Sequence, residues 1–170
     1  MKKLLILILV FGGAYLYFTS SSPEPEEKVV QEVNKSPDAS NATFIIEGDS
    51  VALRDGINLE DSLETKLLPL KASGDLNFDT KNDTAVLLTQ TGGGSGTFVY
   101  VAAYISGPVS YKSTNTIFLG DRISPQTISV SNGVIRVKYL DRKEDESFAD
   151  EPTVEVTKEL VVRDGALEEK

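Results

Sequence analysis

The chain is expected to be all-β or nearly so, a small antiparallel β-sandwich or irregular barrel behind an N-terminal signal-anchor helix. Three observations carry this. Short runs rich in β-branched and aromatic residues, such as Thr97 to Ile105 (TFVYVAAYI), are separated by Gly, Asn and Asp turn signals. Val134 to Leu140 alternates apolar and charged residues at a period of two, as a half-buried strand does. No stretch after Phe18 repeats apolar residues at helical spacing.

Three regions follow from composition. Lys2 and Lys3 precede fifteen uncharged residues, Leu4 to Phe18, so 1–18 reads as a signal anchor, with a cleaved signal peptide as the alternative. Tyr15, Tyr17 and Phe18 suit a membrane interface and are bulky for a cleavage site. Residues 19–42, rich in Ser, Pro and Glu, have too few apolar side chains to offset ordering entropy and read as a disordered linker. Residues 43–170 form the extracytoplasmic β-domain. The expected location is the cell membrane, single-pass, with the C-terminal domain outside; secretion or a periplasmic location follows if the signal is cleaved.

Within the domain, Thr43 to Glu47 and Val51 to Leu53 read as a hairpin around Gly48-Asp49-Ser50, and Arg54-Asp55-Gly56 as a turn. Ile57 to Thr65 fits neither period and is left as a loop or short helical turn. Lys66 to Lys71 reads as a strand, placed at a sheet edge because Pro69 cannot donate to a ladder. Thr84 to Thr89 holds the unbroken run Val86-Leu87-Leu88, as in a strand covered on both faces. Gln90 to Gly96 turns the chain into Thr97 to Ile105. Asn115 to Leu119 is a short strand ending in a Gly120-Asp121 turn. Ile128 to Val130 and Val134 to Leu140 form a hairpin around Asn132-Gly133, a strong type I′ signal. Asp141 to Pro152 is a charged loop, and Thr153 to Thr157 with Leu160 to Val162 gives a last strand pair. Eight to ten strands are expected.

Composition closes off several chemistries. The 170 residues include no cysteine and no histidine, which removes thiol nucleophiles, disulfides, Ser-His-Asp triads and ordinary zinc sites. Net charge is −9. Without Lys2 and Lys3, 15 of the 17 basic residues remain against 26 acidic ones, or −11. A body this acidic argues against nucleic acid as a partner and for solubility or cation binding. The expected partners are the membrane, through the N-terminal segment, and an envelope protein or glycan.

One stretch carries a candidate site. Asp75, Asn77, Asp79 and Asp83 stand at positions one, three, five and nine of a D-x-N-x-D-x-x-x-D loop, with the Lys81 carbonyl at position seven. Such spacing can gather the six to eight oxygens that calcium takes. The ion-free alternative is a turn whose Asp and Asn side chains bond their own backbone. The stretch Gly74 to Tyr100 resembles the GDxNxD calcium loops of FG-GAP/VCBS-type β-repeats and dockerins. It also resembles uncharacterised bacterial exported proteins in which a GGSGTF turn follows such a loop. The resemblance implies an exported location and a calcium loop rather than a reaction. Two residues depart from the pattern: Thr80 replaces the usual glycine at position six, and Val86 replaces the bidentate glutamate at position twelve.

The remaining candidates have plainer readings. Gly92 to Gly96 lacks the lysine and the following helix of a phosphate loop, so close packing is expected there. Asp121 and Arg122 read as a turn and ion pair. Tyr100, Tyr104, Tyr111 and Tyr139 are either a sugar-binding face or core residues with hydroxyls at the rim. No residue set marks a catalytic centre. The expected role is a binding or structural module of the cell envelope, with calcium as a candidate stabiliser. The alternative is a small carboxylate-dependent hydrolase of envelope carbohydrate.

Overall fold

The computed structural model describes residues 36–107 and 110–170. The expected anchor helix (1–18) and most of the linker (19–42) lie outside the described residues. Among those described, no helix is long and apolar enough to cross a membrane.

Turn chemistry sets the hairpins. At Glu47-Gly48, Asp55-Gly56, Asp61-Ser62, Asn132-Gly133 and Asp164-Gly165 both central residues have positive φ, between 48° and 100°. That is the requirement of the type I′ turn, whose twist matches the flanking strands. The first joins β1 (Thr43–Ile46) to β2 (Asp49–Ala52), so the turn is tighter than the expected Gly48-Asp49-Ser50. The third joins β3 (Ile57–Glu60) to β4 (Leu63–Gly74). Ile57 to Thr65 is therefore a hairpin and not a loop or helical turn. Its periodicity was obscured because Ile57, Leu59 and Leu63 are all exposed.

The long antiparallel pair β5 (Asp83–Thr91) and β6 (Thr97–Ser106) forms the centre of a six-stranded sheet. β7 (Tyr111–Ser113), absent from the sequence reading, and β8 (Ile117–Asp121) pair in succession with the far side of β6. Gly120 and Asp121 belong to β8 rather than to a turn. β4 lies between β3 and β5, not at an edge. Pro69 is tolerated because the pairing of β4 with β5 breaks between Leu67 and Lys71, where no ladder donor is needed.

A second sheet has the order β12-β11-β10-β9, from β9 (Ser124–Ser131), β10 (Val134–Asp141), β11 (Val154–Arg163) and β12 (Ala166–Glu169). The expected last pair is one continuous strand, β11, with Lys158 and Glu159 inside it. Its partner β12 follows Asp164-Gly165. Twelve strands are present among the described residues, with one short 3-10 turn at Ala39–Asn41.

The sheets stack in three layers, and neither closes into a barrel. Ala85, Leu87, Val99, Val101 and Ala103 point from β5 and β6 toward Ile135, Val137, Tyr139, Leu160 and Leu167 of the second sheet. The alternate positions Val86, Leu88, Tyr100 and Ala102 point the other way, onto Phe44, Ile46, Val51 and Leu53 around the β1–β2 hairpin. This explains the unbroken Val86-Leu87-Leu88 run: β5 is covered on both faces. Each fully buried Leu or Val contributes about 1.5–3 kcal/mol.

Candidate functional site

The acidic loop runs from the end of β4 to the start of β5 and is closed by its own side chains. The Asp79 N–H donates to Asp75 Oδ1 and to Asn77 Oδ1, both at 3.1 Å. The Thr80 N–H donates to Asp75 Oδ2 at 2.8 Å, and the Lys81 N–H to Asp79 Oδ1 at 2.9 Å. Thr80 takes φ 70°, the left-handed conformation normally given to glycine at that position. The Lys81 ammonium donates to the Gly107 carbonyl at 3.2 Å, tying the loop to the end of β6.

Asp83 stands apart from the other four candidates. Its side chain is fully buried at the first position of β5. Oδ2 accepts from the Leu76 N–H and Oδ1 from the Ser106 N–H, each at 2.8 Å. Beside it, the Ser106 hydroxyl donates to the Asn82 carbonyl at 2.6 Å. Burial pushes the Asp83 carboxyl above its ordinary value, against the pull of those two N–H donors, and the nearby Asp79 and Asp75 push the same way. Asp83 thus pins the loop to β6 from inside.

Asp75, Asn77, Asp79 and the Lys81 carbonyl remain in one loop. Their fit to calcium is partial: two carboxylates, an amide and a carbonyl fall short of six to eight oxygens without water. Among the described residues, no three acidic side chains converge as a metal ion would need.

The other candidates resolve into packing. At Gly92 a Cβ would sit 2.5 Å from the Ser62 carbonyl oxygen, so the glycine loop lies against the β3–β4 turn. Asp121 Oδ1 accepts the Thr97 N–H at 2.8 Å and Oδ2 pairs with Arg122 Nη2 at 2.9 Å. The Arg122 guanidinium holds the Asp121 carboxyl below its usual range and stacks 4.2 Å from the Phe148 ring centre. The four tyrosines do not share a face. Tyr139 lies between the two large sheets, while Tyr100 lies under the hairpin and donates to Glu47 Oε1 at 2.9 Å.

A cleft not anticipated from the sequence opens beside the hairpin. β1 and β2 are only four residues each, so they cover only part of that face of the six-stranded sheet. Beyond the Glu47-Gly48 turn the sheet face is bare. The resulting cleft holds about 500 Å³. Glu47, Asp49 and Ser50 line the hairpin side, and Asn58, Glu60, Asp61 and Leu63 the β3–β4 side. Thr65 and Gln90, paired in register and both buried, line its base. Phe98 pairs with Gln90 on β6, and its ring lies 6.2 Å from that of Phe118; both rings are substantially exposed. Among the described residues, no lysine or arginine lines the cleft. A signal existed in the sequence, since Asn58 and Glu60 alternate with Ile57 and Leu59, but it had meaning only once β3 was known to be a strand.

No family model, no curated protein and no solved structure matches the chain.

Proposed function

We propose that this domain is an extracytoplasmic β-module of the cell envelope, tethered by the apolar N-terminal segment, that works by binding. The observation supporting this reading is the uncovered part of the central sheet. A short hairpin leaves a 500 Å³ cleft there, within the size range of small-ligand sites. Two exposed aromatic rings lie beside it on the same sheet. The opposite face is packed against the second sheet. An envelope glycan or protein is the partner class for the bare face. Calcium is the auxiliary part of the proposal: Asp75, Asn77, Asp79 and the Lys81 carbonyl would hold it, with water completing the shell. Asp83 serves that loop as a pin rather than as a ligand. The four carboxylates of the cleft also keep carbohydrate hydrolysis as a second reading, and release of reducing sugar from envelope polysaccharide would favour it.

The chain has no cysteine, so an introduced one labels specifically. Ser129→Cys, on the outer strand β9, should react with a small membrane-impermeant maleimide on intact cells. Labelling only after lysis would place the domain on the inner side and sink this reading.

A further inference from the structure

We infer that Asn132-Gly133, the turn between β9 and β10, is a site of spontaneous deamidation, and that Phe78 of the acidic loop restrains its rate. The inference is independent of the binding role given above. Asparagine is a thermolabile residue, and Asn132 is the one asparagine of the chain that glycine follows. Glycine has no side chain to hinder its own amide nitrogen from approaching the preceding carboxamide. The other described asparagines are held. The carboxamides of Asn41, Asn58, Asn77 and Asn115 all make hydrogen bonds, and that of Asn115 is clamped at both ends by the Leu167 backbone, at 3.1 and 2.8 Å. Asn82 has a partner as well. Asn132 is exposed, and among the described residues nothing bonds its carboxamide or the Gly133 N–H.

Phe78 supplies the restraint. Its side chain projects from the acidic loop and is largely exposed, yet the end of its ring rests on the turn. A Cβ at Gly133 would lie 2.5 Å from Phe78 Cζ, and Gly133 is buried. With φ of 51° at Asn132 and 73° at Gly133, the turn is type I′. In that turn the Gly133 nitrogen does not face Asn132 Cγ. Ring closure needs rotation about the Asn132 Cα–C bond, which swings the Gly133 peptide, and the Phe78 ring stands against that movement.

The reaction needs only water and hydroxide. Hydroxide takes the Gly133 N–H proton, the nitrogen bonds to Asn132 Cγ, and the Cγ–Nδ2 bond breaks. Water protonates the departing group, which leaves as ammonia and regenerates hydroxide. Water then opens the cyclic imide. Attack at Cγ gives an aspartyl residue. Attack at the main-chain carbonyl gives an isoaspartyl residue, whose backbone runs through Cβ and Cγ and is one atom longer. Either product adds a negative charge to a chain already at −9. The isoaspartyl product also lengthens the two-residue turn that sets Ser131 opposite Val134 and Val130 opposite Ile135.

The test ages the full chain in a nonionic micelle at mildly alkaline pH. Peptide mapping by mass spectrometry locates the deamidated residue, and enzymatic methylation counts isoaspartate. Deamidation should concentrate at Asn132, ahead of Asn58 and Asn115, yet run slower than in a free peptide spanning Ile128 to Arg136. Phe78→Ala should speed it about five-fold, equivalent to about 1 kcal/mol, toward the rate of the free peptide. The Phe78 side chain is 74% exposed, so the fold should persist, and an unchanged melting temperature checks it. Phe148→Ala, which removes an exposed ring elsewhere, should leave the rate at Asn132 unchanged. Asn132→Asp should abolish the mass gain in that peptide. Deamidation at Asn132 no faster than at Asn115 overturns the site. A rate unchanged by Phe78→Ala, or raised equally by Phe148→Ala, overturns the role of Phe78.

Discussion

Replacing Asp83 by alanine should damage the fold out of proportion to the size of the side chain. The carboxylate is buried and satisfies two backbone donors that have no other partner, Leu76 N–H and Ser106 N–H. Leaving a buried donor unsatisfied costs about 1–3 kcal/mol, so two cost about 2–6. Removing a buried charge returns part of this, and the net loss should be about 3 kcal/mol. For a domain of this size that lowers the melting temperature by about 10 °C. Asp83→Asn keeps one acceptor and turns an NH2 group toward the second N–H, so about half the loss is expected. Denaturant unfolding of the full chain in a nonionic micelle, read by tyrosine fluorescence, measures both. The pH dependence carries a further sign. Burial raises the Asp83 carboxyl above its ordinary 3.8, so the folded state favours the neutral acid. That contribution is fully present below the ordinary value and is lost as pH rises through the raised one. The stability gap between the wild type and Asp83→Asn should therefore narrow as pH rises through that window. An alanine variant within about 0.5 kcal/mol of wild type, or a gap that widens with pH, refutes the account of Asp83 as a buried pin.

Two further outcomes follow from the same loop. Thr80→Gly should stabilise the domain by about 1 kcal/mol, because a β-branched residue is held at φ 70° there; a lower melting temperature in the variant would contradict this. Calcium at ten times its dissociation constant should add about 1.4 kcal/mol, seen as a melting shift of several degrees that a chelator abolishes. Asp79→Asn should remove the shift while keeping the acceptor for the Lys81 N–H. No shift at millimolar calcium in the wild type would leave an ion-free Asx turn.

The double burial of β5 was legible because Val86, Leu87 and Leu88 follow one another without a polar break, and both large core clusters draw on that run. The half-buried β10 was equally plain from Ile135, Val137 and Tyr139, all buried, against Arg136 and Lys138, both exposed. Edge elements were harder. β3 places two large apolar side chains in solvent, and β7 has only three residues, so neither shows a clean period. Pro69 pointed to an edge because a gap in pairing, which excuses a proline inside a sheet, depends on tertiary register. At the acidic loop, Asp75, Asn77 and Asp79 occupy the turn that their spacing suggests. Asp83 belongs to the strand instead, since the first residue of β5 points into the core. The cleft was invisible because its walls come from two hairpins, and only their lengths and stacking leave it open.

The most direct test of the binding role is amide chemical-shift mapping of the 15N-labelled full chain in zwitterionic nanodiscs, titrated with soluble fragments of envelope glycan. Shifts should concentrate at Glu47 to Val51, Asn58 to Thr65 and Gln90, the segments that wall the cleft. Shifts confined to other surfaces, or none at all, with the cleft unmoved, would contradict the account.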